Sequence, residues 1–326
     1  MEYTRLGETE LEVSRICFGT WQLGGDWGDP DVDAAKAAIR RARELGINFF
    51  DTAQAYGFGQ SERIVGEALR DEIRNDRESV VLATKGGLRP TDHGGVVRDA
   101  GREWLRQGVE ESLEYLGTDH IDLYQVHWPD PDTPAEETAR ALQELVEEGR
   151  VRYVGVSNYS AGQMLAFERH RKLDALQPPY HIFRREIEKH VLPYCEAHGV
   201  GTLVYGPLAH GLLSGKYDED TTFPPSDWRS ELSGFKGDVF AHNLEVVERL
   251  RKVAFDRGID VIQLAIAWVL AHPAVDVAIV GARTPEQIEG TAPATDVYLT
   301  DEDLVEISDV IDDAIPVGGA TPEGVD

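Results

Sequence analysis

Short apolar runs recur along the chain, and five of them stop at residues with chemically useful side chains. Such runs are typical of parallel strands that are buried on both faces. Polar side chains at the C-terminal ends of successive strands are typical of a parallel barrel that carries its active site at that end. The runs stop at Asp51, Lys85, His127, the pair Ser157 and Asn158, and Tyr205.

Stretches with helical spacing alternate with these runs. Strands are predicted at 16–18, 49–51, 80–85, 121–127, 151–156, 175–177, 201–205 and 277–280. Helices are predicted at 33–45, 61–69, up to 116, at 134–148, 162–172, 187–198, 244–257 and 262–271, and near the C-terminus. The alternation predicts an α/β fold, a (β/α)8 TIM barrel with a short N-terminal β-hairpin and C-terminal helices, in one domain over residues 1–326. Because no Gly-x-Gly-x-x-Gly follows the first strand, a Rossmann dehydrogenase is disfavoured.

Composition restricts the partners and the compartment. The net charge of −27 argues against nucleic acids and anionic membranes as partners. Residues 1–5 are charged and lack the apolar core of a signal peptide, and the apolar stretch 261–282 contains polar residues that disfavour a membrane span. Since only Cys17 and Cys195 are present, no disulfide framework is expected, and a cytoplasmic location is predicted.

The basic residues are unevenly divided, with 25 arginines among the 32 lysines and arginines. An acidic surface with few lysines suits a salt-adapted cytoplasm. A GC-rich genome, which favours arginine codons, explains the same division. Both explanations remain open at this point.

The strand ends contain the groups that reduction of a carbonyl requires. Tyrosine is a poor acid, with an unperturbed pKa of about 10, but a buried cation that stabilises its phenolate makes it an effective general acid. Tyr56 can be that acid, Lys85 the cation, Asp51 the group that keeps Lys85 charged, and His127 the group that orients the carbonyl. Each residue alone has an ordinary structural explanation, whereas their joint occurrence favours a hydride-transfer site.

Two other kinds of site are disfavoured. A barrel hydrolase needs paired carboxylates, and only Asp51 stands at a strand end. His93, His181 and His242 lie in or near loops without metal-ligand spacing, so no metal site is predicted.

Several separate motifs resemble one known family. Over essentially its full length the chain resembles the aldo-keto reductase superfamily, and it closely resembles the bacterial members related to potassium-channel beta subunits. The motifs occupy residues 50–57, 83–85, 125–128, 155–158, 205–209, 211–216 and 280–283. The resemblance implies a catalytic tetrad of Asp51, Tyr56, Lys85 and His127, with Tyr56 as the proton donor.

The resemblance also implies a nicotinamide cofactor. Ser157, Asn158 and Gln177 would hydrogen-bond the nicotinamide carboxamide, and Tyr205 would stack on its ring. Further cofactor residues follow strands seven and eight: Gly206, Pro207, Leu208, Gly211, Leu213, Gly215 and Lys216, then Gly281, Ala282, Arg283 and Gln287.

Arg283 determines the expected choice of cofactor. By resemblance it would contact the adenosine 2′-phosphate, which favours NADPH/NADP+ over NADH. With Lys216 it supplies local positive charge for a polyanion. The chain departs from the family pattern at Gly290 and Thr291, where relatives commonly carry Glu-Asn to grip the adenine.

Aromatic residues are expected to form the substrate end. Trp21 and Trp128 follow strands one and four, Trp27 and Tyr159 are further candidates, and loops 86–98 and 206–240 could add walls or a lid. The expected function is NADP(H)-dependent reduction of aldehyde, ketone or sugar carbonyls, or oxidation of the corresponding alcohol. The alternative is a slow-turnover, NADPH-binding redox-sensing subunit.

Overall fold

Eight parallel strands close into a barrel in the computed structural model, which describes residues 1–25, 28–92, 95–225, 227–322 and 324–325. Each strand pairs with its neighbours in the sequence, and the last pairs with the first, placing Ala278 beside Ile16. This confirms the predicted (β/α)8 TIM barrel. The strands are β1 (Ile16–Gly19), β2 (Phe49–Asp51), β3 (Val81–Gly86), β4 (Ile121–Val126), β5 (Val151–Ser157), β6 (Ala175–Gln177), β7 (Gly201–Tyr205) and β8 (Val277–Gly281).

Helices surround the barrel, and several differ from the predicted ones. The helix predicted at 162–172 ends at Glu168, and the helix predicted at 244–257 begins at Gly237. The helix predicted at 61–69 ends at Ala68, and a second short helix follows it. The helix predicted at 187–198 is a 3₁₀ turn, Glu186–Lys189, followed by a separate α-helix, since Pro193 is tolerated only within the first turn of a helix. The helices are α1 (Val32–Glu44), α2 (Gln60–Ala68), α3 (Arg70–Asn75), α4 (Arg102–Leu116), α5 (Ala135–Glu147), α6 (Ala161–Glu168), α7 (Val191–His198), α8 (Gly237–Asp256), α9 (Val261–Leu270), α10 (Pro285–Thr291) and α11 (Asp301–Ile311).

Side chains alternate between the inside and the outside of the barrel along each strand. Inward-facing residues near the N-terminal ends form an apolar cluster that includes Phe49 and Ala83. Two residues further along β2 and β3 the same inward rows contain Asp51 and Lys85. The alternation that builds the apolar interior therefore also directs polar side chains into the C-terminal mouth.

Short hairpins lie at both ends of the barrel. Tyr3–Arg5 pairs with Glu12–Ser14, as predicted, and Leu6 and Leu11 beside this hairpin belong to the apolar interior cluster. Two hairpins that the sequence did not predict are Leu88–Pro90 with Val96–Arg98, and Ala320–Thr321 with Gly324–Val325. The loop predicted at 206–240 contains the 3₁₀ turns Ala209–Ser214, Trp228–Ser230 and Ser233–Phe235, and α8 begins within it.

Hydrogen bonds from one arginine connect the segments before β1 and before β8 at the N-terminal end of the barrel. The Arg15 guanidinium, just before β1, donates to the carbonyl oxygens of Leu270, Val275 and Asp276, at 2.8, 3.1 and 3.2 Å. These residues lie from the last residue of α9 to the residue just before β8. The side chain therefore joins the two ends of the barrel sequence where β1 meets β8.

Helix α9 is the most apolar helix and is buried along most of its length. It packs against the 3₁₀ segments at 209–214 and 292–296 and against α8. In the part of the chain that the structure describes, no helix combines the length and apolarity needed to cross a membrane. Cys17 and Cys195 are both buried and carry free thiols.

Candidate active site

A buried ion pair lies at the C-terminal mouth of the barrel. The Lys85 ammonium donates to Asp51 Oδ2 at 2.6 Å, to the Thr52 carbonyl at 2.8 Å and to the Tyr56 hydroxyl at 3.3 Å. The side chains of Lys85 and Asp51 are 0% and 3% exposed. All three N–H groups of the ammonium thus have acceptors, and one of these is the tyrosine that the sequence predicts to be the acid.

Electrostatics keep this lysine charged. Burial by itself lowers the pKa of Lys85, but the negative charge of Asp51 and the adjacent Tyr56 outweigh burial and raise the pKa above its ordinary value. The ammonium also lies 4.9 Å from the centroid of the Tyr56 ring. A permanent cation therefore stands beside the phenol, as a tyrosine general acid requires.

His127 faces Tyr56 edge to face, with the ring centroids 5.6 Å apart. Burial and the positive charge of Lys85 hold the pKa of His127 well below its ordinary value of 6.5, so its imidazole is neutral at pH 7. Its Nδ1 atom is buried and has no hydrogen-bond partner among the described residues. Of the two ring nitrogens, Nε2 is therefore the one suited to contact a substrate.

The residues predicted to bind the carboxamide form a hydrogen-bonded network. Asn158 has a left-handed backbone, with φ of 63°, a conformation that asparagine tolerates better than most residues. Its amide donates to the His127 carbonyl and to Ser157 Oγ, both at 3.0 Å, and its Oδ1 accepts from the Tyr205 hydroxyl at 2.8 Å. Ser157 Oγ in turn donates to the Gln177 carbonyl at 2.8 Å.

These groups surround one long cavity of about 1210 Å³. Its walls include Asp51, Tyr56 and His127 at one end and extend to Arg283 and Gln287 near the start of α10. The volume exceeds the range of about 300–1000 Å³ that is usual for drug-sized ligands. An elongated molecule of dinucleotide size suits these dimensions.

The segment after β7 supplies one wall, and its backbone is strained. Ala209 and His210 have positive φ values of 48° and 57° although neither is glycine, a conformation found mainly where the surroundings enforce it. The N–H groups of Ala209, Gly211 and Leu213 donate to carbonyl oxygens within the segment. Residues that line the cavity here are Gly206, Pro207, Leu208, His210, Gly211, Ser214 and Lys216, whereas the predicted Leu213 and Gly215 do not line it.

A second wall follows β8. Gly281, Ala282, Arg283 and Gln287 all line the cavity, and Gln287 Oε1 accepts from the Arg283 backbone N–H at 2.6 Å. Gly290 and Thr291, at the departure from the family pattern, also line the cavity. The predicted group is thus brought together on one side of the same cavity.

Two of the aromatic residues expected at the substrate end lie in the cavity wall. Trp21 and Trp128 line the cavity, and the Arg98 guanidinium lies 5.3 Å from the Trp128 ring. Tyr159 packs against the core and is not part of the cavity wall. Trp27 and His93 lie outside the described residues.

Loops 86–98 and 206–240, expected to add walls, do contribute to the cavity, but sequence reasoning did not single out several of the side chains involved. Trp228 packs against Trp21 with ring centroids 5.3 Å apart. Arg229 pairs with Asp227 and donates to the Tyr217 hydroxyl at 2.7 Å. No strand-end pattern marks these positions, because long-loop contacts decide them. Further wall residues in these two loops are Leu88, Gly95, Val96 and His210, and wall residues without a sequence signal are Gln22, Phe58, Glu286, Ala320, Thr321 and Pro322.

Of the histidines considered for metal binding, His181 and His242 lie in different parts of the fold. His181 is buried between strands β6 and β7, whereas His242 lies on α8 and its Nε2 contacts the Asp313 carbonyl at 2.8 Å. Over the described ranges, no group of three or more His, Cys, Asp or Glu side chains is arranged to hold a metal ion.

Comparisons with known proteins agree with this geometry. The sequence model of the Aldo/keto reductase family matches residues 15–312. The chain is 44% identical to aldo-keto reductase YhdN of Bacillus subtilis, over 98% of this chain and 96% of the relative. It is 36% identical to a probable voltage-gated potassium channel subunit beta of Arabidopsis thaliana, over 91% and 92%, and 34% identical to an NADH-specific methylglyoxal reductase of Escherichia coli, over 93% and 96%.

A solved structure shows the same architecture. The fold is similar to that of the glycerol dehydrogenase AKR11B4 from Gluconobacter oxydans, with a TM-score of 0.89, 40% identity and 96% of each chain covered. The family match covers most of the chain, and each relative is matched over most of its length. The chain therefore belongs to the aldo/keto reductase family.

Proposed function

We propose that this protein is an NADP(H)-dependent oxidoreductase that reduces the carbonyl group of aldehydes or ketones, sugars included, with Tyr56 as the general acid. The observation that carries this proposal is the position of the Lys85 ammonium. It lies 2.6 Å from Asp51 and 3.3 Å from the Tyr56 hydroxyl. This contact stabilises a phenolate and so favours release of the Tyr56 proton.

The chain's own residues divide the work at the carbonyl group. A reduced nicotinamide, when bound, would supply the hydride for the carbonyl carbon. Tyr56 transfers its hydroxyl proton to the carbonyl oxygen, and Lys85 stabilises the phenolate that remains. His127, neutral at pH 7, offers Nε2–H to the same oxygen and fixes its orientation.

The cavity suits the cofactor from end to end. Ser157, Asn158, Gln177 and Tyr205 offer amide, hydroxyl and aromatic groups where the nicotinamide would lie. Lys216 and Arg283 add positive charge along the wall, which favours a polyanion in a protein of net charge −27. Arg283 favours a 2′-phosphate and hence NADP(H). The name of the Escherichia coli relative, NADH-specific, makes this preference the part of the proposal that most needs a test.

Replacing Tyr56 tests the acid assignment. Tyr56→Phe removes the hydroxyl and keeps the ring, so we expect at least a 100-fold loss of NADPH-dependent carbonyl reduction, in line with the usual contribution of general acid catalysis, roughly 10²–10⁴-fold. NADPH binding, measured by fluorescence titration, should be retained. Tyr298→Phe, at a tyrosine that is 87% exposed, is the matched control. Unchanged turnover in Tyr56→Phe would exclude Tyr56 as the acid.

The second candidate is a redox-sensing regulatory subunit. The 36% identity to a probable potassium channel subunit beta supports it. The two candidates differ in turnover, since a sensor would bind NADPH tightly and reduce every carbonyl slowly. A panel of aldehydes, ketones, sugars and polyols, assayed in both directions with each cofactor, distinguishes them. We assign the reaction to the cytoplasm, because buried free cysteines are typical of a reducing compartment.

A further inference from the structure

The two carboxylate oxygens of Asp51 have different partners. Oδ2 accepts from Lys85, whereas Oδ1 accepts from Gln177 Nε2 at 2.8 Å and from Gln125 Nε2 at 3.2 Å. Gln125 is 0% exposed and Gln177 is 3% exposed. Of the two glutamines, Gln177 lines the cavity and Gln125 does not.

The hydrogen bonds fix the orientation of the Gln177 amide. Its NH2 group donates one hydrogen to Asp51 Oδ1 and the other to Gln125 Oε1, at 3.2 Å. A carboxylate only accepts hydrogen bonds, so both glutamines must present N–H groups to Asp51. A rotated Gln177 amide would instead place its oxygen against Asp51 Oδ1 and Gln125 Oε1, both of which are acceptors. Gln177 Oε1 is therefore the only amide atom left for a ligand.

We propose that Gln125 is a positioning residue that directs the side-chain amide oxygen of Gln177, Oε1, toward the nicotinamide carboxamide. It also connects this part of the cofactor site to the Asp51–Lys85 pair. This inference rests on the proposed function, because it takes Gln177 to contact the nicotinamide. Gln125 touches neither the substrate nor the cofactor. It acts by accepting the second N–H of Gln177 and by donating to Asp51. The Gln177 amide therefore presents one acceptor and no donor to the cavity.

The position of Gln125 in the barrel explains how it reaches both partners. It lies on β4 directly beside Lys85 of β3 and Gly155 of β5. A Cβ atom at Gly155 would lie only 2.9 Å from the Gln125 side chain, so the glycine leaves the space that this side chain occupies. The charged side chains beside Gln125 inside the barrel are Asp51, which Gln125 contacts directly, and Lys85.

Two substitutions separate hydrogen bonding from packing. Gln125→Met keeps the length of the side chain but neither donates nor accepts, so Gln177 keeps its bond to Asp51 while its second N–H loses its acceptor. Gln125→Glu reproduces both bonds only when protonated, because its O–H then donates to Asp51 and its C=O accepts from Gln177. When ionised it places a second carboxylate against Asp51.

The experiment is a fluorescence titration of NADPH between pH 5.5 and 8.5. We expect Gln125→Met to bind NADPH about tenfold more weakly throughout, as for the loss of one buried hydrogen bond. Gln125→Glu should approach wild-type affinity at the acid end and bind NADPH more weakly at the alkaline end, where its ionised carboxylate repels Asp51. Binding of 2′-phospho-ADP-ribose, which lacks the nicotinamide, should be unchanged in both variants and reports that they are folded.

The control is Thr202→Val, a buried change on β7 outside this network. If Gln125→Met binds NADPH as well as wild type and the control do, the role proposed for Gln125 is wrong, while the proposed function stands. A Gln125→Glu variant whose affinity relative to wild type does not change with pH also overturns it. If wild type binds neither NADPH nor NADH, the proposed function itself fails.

Discussion

Neutralising Asp51 should destabilise the fold and the site together. Asp51→Asn keeps the shape of the side chain but removes the charge that lies 2.6 Å from the Lys85 ammonium. At this distance Coulomb's law gives about 6 kcal/mol for two unit charges with an effective dielectric constant of about 20. The amide oxygen retains a hydrogen bond worth about 1–1.5 kcal/mol, and its NH2 group must face either Lys85 or the two glutamine donors. We therefore expect the free energy of unfolding to fall by about 3–5 kcal/mol, the usual cost of breaking a buried pair.

Urea denaturation at pH 7.5 measures this loss. The matched control is Asp313→Asn, which removes an exposed carboxylate paired with Arg249 and should change the unfolding midpoint far less, because surface pairs contribute little. The rate of carbonyl reduction by Asp51→Asn should also fall in the absence of urea, where the variant is fully folded. If Asp51→Asn unfolds at the same urea concentration as wild type, Asp51 does not hold Lys85 charged and the electrostatic argument for the site is refuted.

Two further predictions concern the cofactor and pH. Arg283→Ala should raise the Michaelis constant for NADPH far more than that for NADH, and Arg140→Ala, at an exposed side chain of α5, is the control. Equal effects on the two constants would refute a contact with the 2′-phosphate. Burial depresses the folded-state pKa of His127 below 6.5, so at acid pH the unfolded chain binds a proton that the native state excludes. The free energy of unfolding should therefore fall as the pH drops below about 6.5, by up to about 1.4 kcal/mol per pH unit. The fall in urea stability between pH 7.5 and 5.5 should be shallower in His127→Gln, and an identical fall would show that His127 does not contribute.

Residues at strand ends could be found from the sequence because local rules decide them. Asp51, Lys85 and His127 each follow a short apolar run, and parallel pairing brings such residues to one end of the barrel. Gln125 carried a usable signal as well, since it lies two residues before His127 and period-2 alternation puts both side chains on the same side of β4. Its hydrogen bonds to Gln177 and Asp51, from strands distant in sequence, could not be read from that alternation.

Loop residues were less predictable for a different reason. Arg229 and Trp228 reach the cavity because an ion pair with Asp227 and ring packing against Trp21 hold the loop there. The hairpin at 320–325 has strands of only two residues each, too short for an alternating pattern to appear. Tertiary contacts, not local propensity, decide where such segments lie.

The pairing of β8 with β1 has a consequence for synthesis on the ribosome. The strand Ile16–Gly19 emerges early but receives its second neighbour only after Val277–Gly281 has been made. Until then β1 and β7 each expose an unpaired edge, a template for association with other chains. Arg15 also gains its three carbonyl acceptors at that late stage. A chain stalled before residue 277 would therefore need protection by a chaperone, although seven of its eight strands were complete.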